Sequence, residues 1–144
     1  MPRPRYHALA SLALGTALAI GGRSKRRLVA PIVSGFLIDG DHLFDFALGR
    51  LGFHGRMVLP LHGWEYVAVF LALDRRLKTS GALTAGYVCH LAMDQIWNEK
   101  RSAFSYFLAF RAWRGFRADQ LGPLDPEKRH RWRHSSPVGL LRWL

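Results

Sequence analysis

The sequence predicts an all-α fold: a compact bundle of four or five helices followed by an irregular basic tail. Three observations point there. Two Ala/Leu-rich runs, His7 to Ile20 and Gly81 to Trp97, have the composition of helices. No segment alternates apolar and polar residues for long enough to build a sheet. Glycines, prolines and charged clusters divide the apolar runs. A chain of 144 residues, 49% hydrophobic, is one domain with enough apolar surface for a core. The single cysteine, Cys89, excludes an internal disulfide and a cysteine-only zinc site.

The elements follow in order. Met1 to Tyr6 is a short basic lead. The first helix runs from His7 and stops at Gly21-Gly22. Arg23 to Arg27 (RSKRR) is a basic turn, and Leu28 to Ile38 is an apolar run interrupted by Pro31 and Gly35. Gly40 bends the chain within DGDHLFDF, and a helix starts near Asp41. Residues 49–56 (GRLGFHGR) form a Gly-rich loop that leaves His54 in solvent. Met57 to Leu73 is apolar but carries His62 and Glu65, and Asp74 to Lys78 is a charged connection. Phe104 to Trp113 is aromatic and apolar. The remainder, with Pro123, Pro126, Pro137 and KRHRWRH (128–134), reads as an irregular tail. The expected division is therefore a helical metal-binding domain over 1–113 and a basic, aromatic-containing tail over 114–144.

A membrane-crossing helix needs about 20 apolar residues. The run from Ala8 to Gly22 is short and mild, and that from Met57 to Leu73 holds Pro60, His62 and Glu65. Association through short hairpins or a partly inserted apolar face is expected instead of a multi-span bundle. Arg3, Arg5 and RSKRR flank the first run on both sides and keep the basic ends cytoplasmic. The basic lead, apolar stretch and small residues at 19–22 also fit a signal peptide, though with a poor cleavage site.

Lys and Arg number 21 against 10 Asp and Glu, a formal charge of +11. This excludes an acidic solvating protein and favours a polyanionic partner: an anionic membrane face, nucleic acid or a phosphorylated substrate. The excess lies at the two ends. The acids carry a second signal, because Asp39, Asp41, Asp45, Glu65 and Asp94 sit in largely apolar stretches. Such acids are costly unless paired or metal-bound.

Histidines accompany them. His90 and Asp94 are four residues apart on a helix, so both face one side and can grip one divalent cation. Asn98 extends that stripe, while Tyr87, Leu91 and Trp97 are expected to face the core, as is Cys89. Asp41 and Asp45 share the same spacing, His42 and Asp45 are three apart, and so are His62 and Glu65. Each pair alone is as well explained by a buried hydrogen bond. Three such segments together point to a metal site of His7, Asp39, Asp41, His42, His62, His90 and Asp94. Mixed imidazole and carboxylate donors suit zinc, manganese or iron better than calcium. His130 and His134 lie among Arg and Lys, where a cation is repelled.

The order of His7, Asp39-Gly-Asp41-His42, His62 in LHGWE, and Gly86-Tyr87-Val88-Cys89-His90-Leu91-Ala92-Met93-Asp94 resembles the YdjM-like family of bacterial membrane-bound, metal-dependent hydrolases. The likeness covers about residues 5–98. Through the HxxxD helix that family is distantly similar to zinc-dependent phospholipase C and the fungal single-strand nucleases. The resemblance implies that Asp41, His62, His90 and Asp94 ligate one metal, with Asp94 bridging to a second held by His7 and Asp39. It has no counterpart here to the later His/Glu ligand set of the phospholipases.

Two functions are then expected. The first is a hydrolase at the bacterial inner membrane, using one or two divalent ions, zinc above all, on a phosphoester. Glu65 or Asp45 would be the general base, and Arg50 and Arg56 would neutralise phosphate. The second is a non-enzymatic basic protein binding membrane or nucleic acid through the tail, whose Trp132 and Trp143, with Trp113, interleave with arginines.

Overall fold

A computed structural model of the chain describes residues 4–22, 24–97 and 102–122. Among these residues there are six α-helices and no strand, as the composition predicts: α1 (Pro4–Gly22), α2 (Lys25–Gly35), α3 (His42–Arg50), α4 (Val67–Leu77), α5 (Ala82–Trp97) and α6 (Leu108–Trp113). Short 3-10 turns lie at Leu37–Asp41, Trp64–Tyr66 and Ala118–Gln120.

Helix α1 begins three residues before His7, because Pro4 suits the first turn, where its missing N–H has no helical partner. Helix α2 takes in Lys25, Arg26 and Arg27, so the expected basic turn is mostly helical and Ser24 stands before it. Pro31 lies inside α2 and is buried. Helix α4 runs to Leu77 through the expected charged connection. There Asp74 turns inward, accepting from the Leu83 and Thr84 amides and from the hydroxyls of Thr79 and Thr84. It thereby caps α5 from the preceding helix.

Helix α5 is the axis of the molecule, packing on α1, α2 and α4. The α1, α2 and α5 backbones approach closely through Ser11, Gly15, Ser34, Gly35 and Gly86. A Cβ on Gly86 would lie 2.5 Å from Pro31 Cα, a separation real atoms do not tolerate. On the other side of α5 a core forms from Ile38, Met57, Leu59, Tyr87, Leu91, Tyr106, Ala118 and Leu121. Phe70 stacks on Tyr87 at 4.3 Å between ring centres.

That core draws in residues beyond Trp113. Ala118 and Leu121 are buried in it, and Met57 N–H donates to the Phe116 carbonyl. The packed core therefore includes residues between 114 and 122. The run KRHRWRH and the aromatic residues Trp132 and Trp143 lie outside the described residues, as do His130, His134, Asn98 and Glu99. Tyr87 and Leu91 face the core as expected, whereas Trp97 is exposed and Cys89 half-buried. Among the described residues no helix is long and apolar enough to cross a membrane.

Candidate metal centre

The buried face of α1 is His7, Ser11 and Gly15, a single stripe at helical spacing. That of α5 includes Gly86, Tyr87, His90 and Asp94. The two stripes meet, so His7 Nε2 lies 3.3 Å from Asp94 Oδ1 and the His7 ring lies against that of His90. The 3-10 turn after α2 brings Asp39 across them, and His42 opens α3 beside it. His62 arrives on the loop before α4.

Three overlapping ligand sets result: His7, Asp39 and His90; Asp39, His42 and His62; and His62, His90 and Asp94. Asp39 Oδ1 is 3.5 Å from His42 Nε2 and 3.6 Å from the Nε2 atoms of both His62 and His90. Asp94 Oδ2 is 3.4 Å from His62 Nε2 and 3.6 Å from His90 Nε2. Four ligands on a tetrahedral ion with bonds near 2.1 Å are about 3.4 Å apart. The Asp–His pairs thus stand at the separations that one cation imposes, while the Nε2 atoms of His62 and His90 lie closer, at 2.8 Å.

The ring tautomers sharpen this. His90 Nδ1 is 2.7 Å from the Gly35 carbonyl, which can only accept, so Nδ1 carries the proton. His62 Nδ1 is 2.9 Å from Asp41 Oδ2 and donates to that carboxylate. Both rings therefore turn an Nε2 lone pair inward, and these two atoms are 2.8 Å apart. Two facing lone pairs repel unless a cation lies between them. Without a metal that cation is a proton. Burial opposes an imidazolium at His62, but hydrogen bonds to Asp39 and Asp41 outweigh it and push its pKa up to about 10. Burial and the charge on His62 push His90 down to about 4. Burial disfavours the Asp39 and Asp94 carboxylates too, yet the surrounding imidazoles hold both pKa values below the ordinary range. Asp39 Oδ2 has no donor among the described residues. His7, His62, His90 and Asp94 are buried, while the side chains of Asp39 and His42 remain 12% exposed, so the centre opens at that end.

Compared with protein-family models, with curated proteins and with solved structures, the chain matches none. The site is therefore read from its own geometry. Of the residues expected to bind metal, His7, Asp39, His42, His62, His90 and Asp94 fall in the ligand sets. Asp41 does not. It stands one layer out, where its Oδ2 accepts both from His62 and from the Leu61 amide. The reason is the 3-10 turn, which sends Asp39 and Asp41 to different sides of His62.

Asp45 and Glu65 are also placed apart from the ligand sets. Asp45 accepts from the Val58 and Leu59 amides, with burial holding its pKa up. Glu65 accepts from Leu108 and Ala109 at the start of α6, and those amides overcome the cost of desolvation to hold its pKa down. Both carboxylates anchor backbone. Arg56 donates to the Gly115 carbonyl and Arg50 is exposed.

Sequence reasoning passed over the groups that hold the His62 loop. Tyr87 Oη accepts from the Gly63 amide and lies within hydrogen-bond distance of the Leu61 and Gly63 carbonyls. Buried Leu59 takes a φ of +38°, a strained value for leucine, with its amide donating to Asp45 and its carbonyl accepting from the His62 amide. Tyr87 was visible as part of the motif, but its partner loop is 24 residues away.

Proposed function

We propose that this chain is a membrane-associated, metal-dependent hydrolase of phosphoester bonds, akin to the YdjM-like enzymes. His7, Asp39, His42, His62, His90 and Asp94 would hold one or two divalent ions, zinc in first place. The observation that carries the metal is the convergence of three overlapping His/Asp sets in a buried cluster, with the His62 and His90 rings each fixed by an acceptor at Nδ1. Imidazole fixed in this way by an outer carboxylate or carbonyl is the usual support of a metal-binding histidine. When bound, the cation supplies Lewis acidity towards water and towards a phosphoryl oxygen. The chain itself keeps the tautomers fixed, excludes bulk water from the inner ligands, and leaves the Asp39 and His42 end for substrate.

The phosphoester rests on the resemblance and on the +11 charge. Membrane association is supported by exposed apolar side chains along α1 (Leu9, Leu12, Ile20) and α2 (Val29, Val33). Such residues can lie in an interface without crossing it. In this reading the basic ends face the cytoplasmic leaflet of the bacterial inner membrane.

Elemental analysis of the purified full chain is expected to give one or two equivalents of transition metal, and Asp94→Ala to remove them. Hydrolysis of a chromogenic phosphodiester should be lost with chelator and restored by metal. A metal-free chain whose stability ignores added zinc overturns the reading, and unchanged metal in Asp94→Ala overturns the site. A non-enzymatic, polyanion-binding role has its own support. Arg114 lies 4.5 Å over the exposed Trp113 ring and 5.5 Å over Phe110, an aromatic and cationic surface suited to lipid headgroups or bases. Binding to anionic vesicles or single-stranded nucleic acid, steep in salt and indifferent to chelator, would favour it.

A further inference from the structure

Arg111, on α6, is fully buried. It lies beyond residues 5–98, where the family resemblance ends. An arginine taken wholly out of water is costly and is normally matched by a carboxylate. Here its Nη2 donates to the backbone carbonyl of His62, and its Nε and Nη1 have no acceptor among the described residues. The guanidinium is therefore aimed at one backbone oxygen, and that oxygen belongs to a ligand of the metal centre.

The polar atoms of His62 can be accounted for one by one. Its amide donates to the Leu59 carbonyl, Nδ1 donates to Asp41, and its carbonyl accepts from Arg111. Only Nε2 is left, and it points at His90, Asp39 and Asp94. The loop that carries His62 includes the strained Leu59, so it needs restraint from outside. Glu65 supplies part of it by holding the first amides of α6, the helix on which Arg111 sits.

We propose that Arg111 is a positioning residue for the metal centre, acting through the His62 carbonyl to keep Nε2 on the cation. This rests on the metal-centre reading above. The sign of the effect separates positioning from simple electrostatics. A positive charge behind a cation site repels the cation, so removing that charge would tighten binding if charge were all that mattered. Positioning makes the opposite demand.

The test is Co²⁺ titration of the full chain, followed by its visible absorption, with Zn²⁺ competition for affinity. Arg111→Met is expected to weaken binding about ten- to a hundredfold, the range for lost outer-layer partners, and to alter the Co²⁺ spectrum. In a His62→Ala background the same substitution should change affinity less than twofold, because the carbonyl remains but the Nε2 it positions is gone. Millimolar guanidinium should restore part of the affinity in Arg111→Ala, and Arg111→Lys should fall between wild type and Met. Unchanged or tighter binding in Arg111→Met overturns the proposal, as does an equal loss in the His62→Ala background. Failure of every Arg111 variant to fold, Lys included, makes the residue structural and also overturns it. Failure of the wild-type chain to bind Co²⁺ or Zn²⁺ instead overturns the metal centre itself.

Discussion

His62 and His90 meet at Nε2 only because each has an acceptor waiting at Nδ1, Asp41 for one and the Gly35 carbonyl for the other. The role of Asp41 is therefore testable apart from ligation. Asp41→Ala leaves the His62 ring free to turn and strands the Leu61 amide. Metal affinity is expected to fall about ten- to a hundredfold with stoichiometry unchanged. The metal-free chain should lose about 1–3 kcal/mol from the unsatisfied donors. Titration by zinc competition and chemical denaturation in chelator read the two effects separately. A ligand position such as Asp94 should instead lose stoichiometry. At this scale the sequence showed which acids were misplaced, since Asp39, Asp41 and Asp94 stand in apolar runs. It could not show that Asp39 falls within the candidate ligand sets while Asp41 stands behind His62, because that depends on a 3-10 turn between them.

Helix packing brings the ligands together, and it depends on missing side chains. Gly86→Ala would place a Cβ against Pro31 Cα and Ser34 Oγ, both buried where α2 crosses α5. The helices must separate, at a cost of about 1–3 kcal/mol by denaturant unfolding. Because α2 also carries the Gly35 carbonyl that fixes His90, metal affinity should fall with it. Asp74 is the contrasting case, a buried cap remote from the ligand sets. Burial alone would raise its pKa, but hydrogen bonds from Thr79, Thr84 and Leu83 outweigh that and hold it below the ordinary carboxylate value. A carboxylate with a depressed folded pKa stabilises fully above its unfolded pKa, and that contribution is lost as pH falls through the folded value. Asp74→Ala should therefore cost about 1–2 kcal/mol at neutral pH. The variant and the parent should converge as the pH drops below about 4. Metal content should not change. A constant difference down to pH 2, seen in acid titration of stability, would refute the cap as an ionic one. The helices themselves were legible from composition. The cap was not, because Asp74 stands in a charged run and only the α4–α5 turn brings it to those amides.

For the molecule as a whole, the placing of residues 114–122 is decisive. Truncation after Gly122 removes most of the C-terminal basic residues and no ligand, so metal stoichiometry should be kept. Truncation after Trp113 also removes the buried Ala118 and Leu121. That should cost at least about 3 kcal/mol, by analogy with emptying a large core side chain, and should loosen the His62 loop against which they pack. Comparing the two by thermal unfolding and metal analysis tests whether residues 114–122 belong to the packed body. Vesicle sedimentation of the first truncation then asks how much of the anionic-surface affinity the exposed α1 and α2 side chains supply without the basic end.

Composition and spacing alone determined that the chain is helical, that its acids are out of place, and which histidines accompany them. These are properties of short windows: helix propensity, periodicity of about 3.6, and the cost of a carboxylate in apolar surroundings. Only the tertiary structure decided which of those acids converge with the histidines, that the core reaches past residue 113, and that a buried arginine stands behind His62. Those facts depend on pairs 20 or more residues apart, from Asp41 with Leu61 to His7 with Asp94. No local pattern encodes such pairs, because close backbone approach between helices sets them.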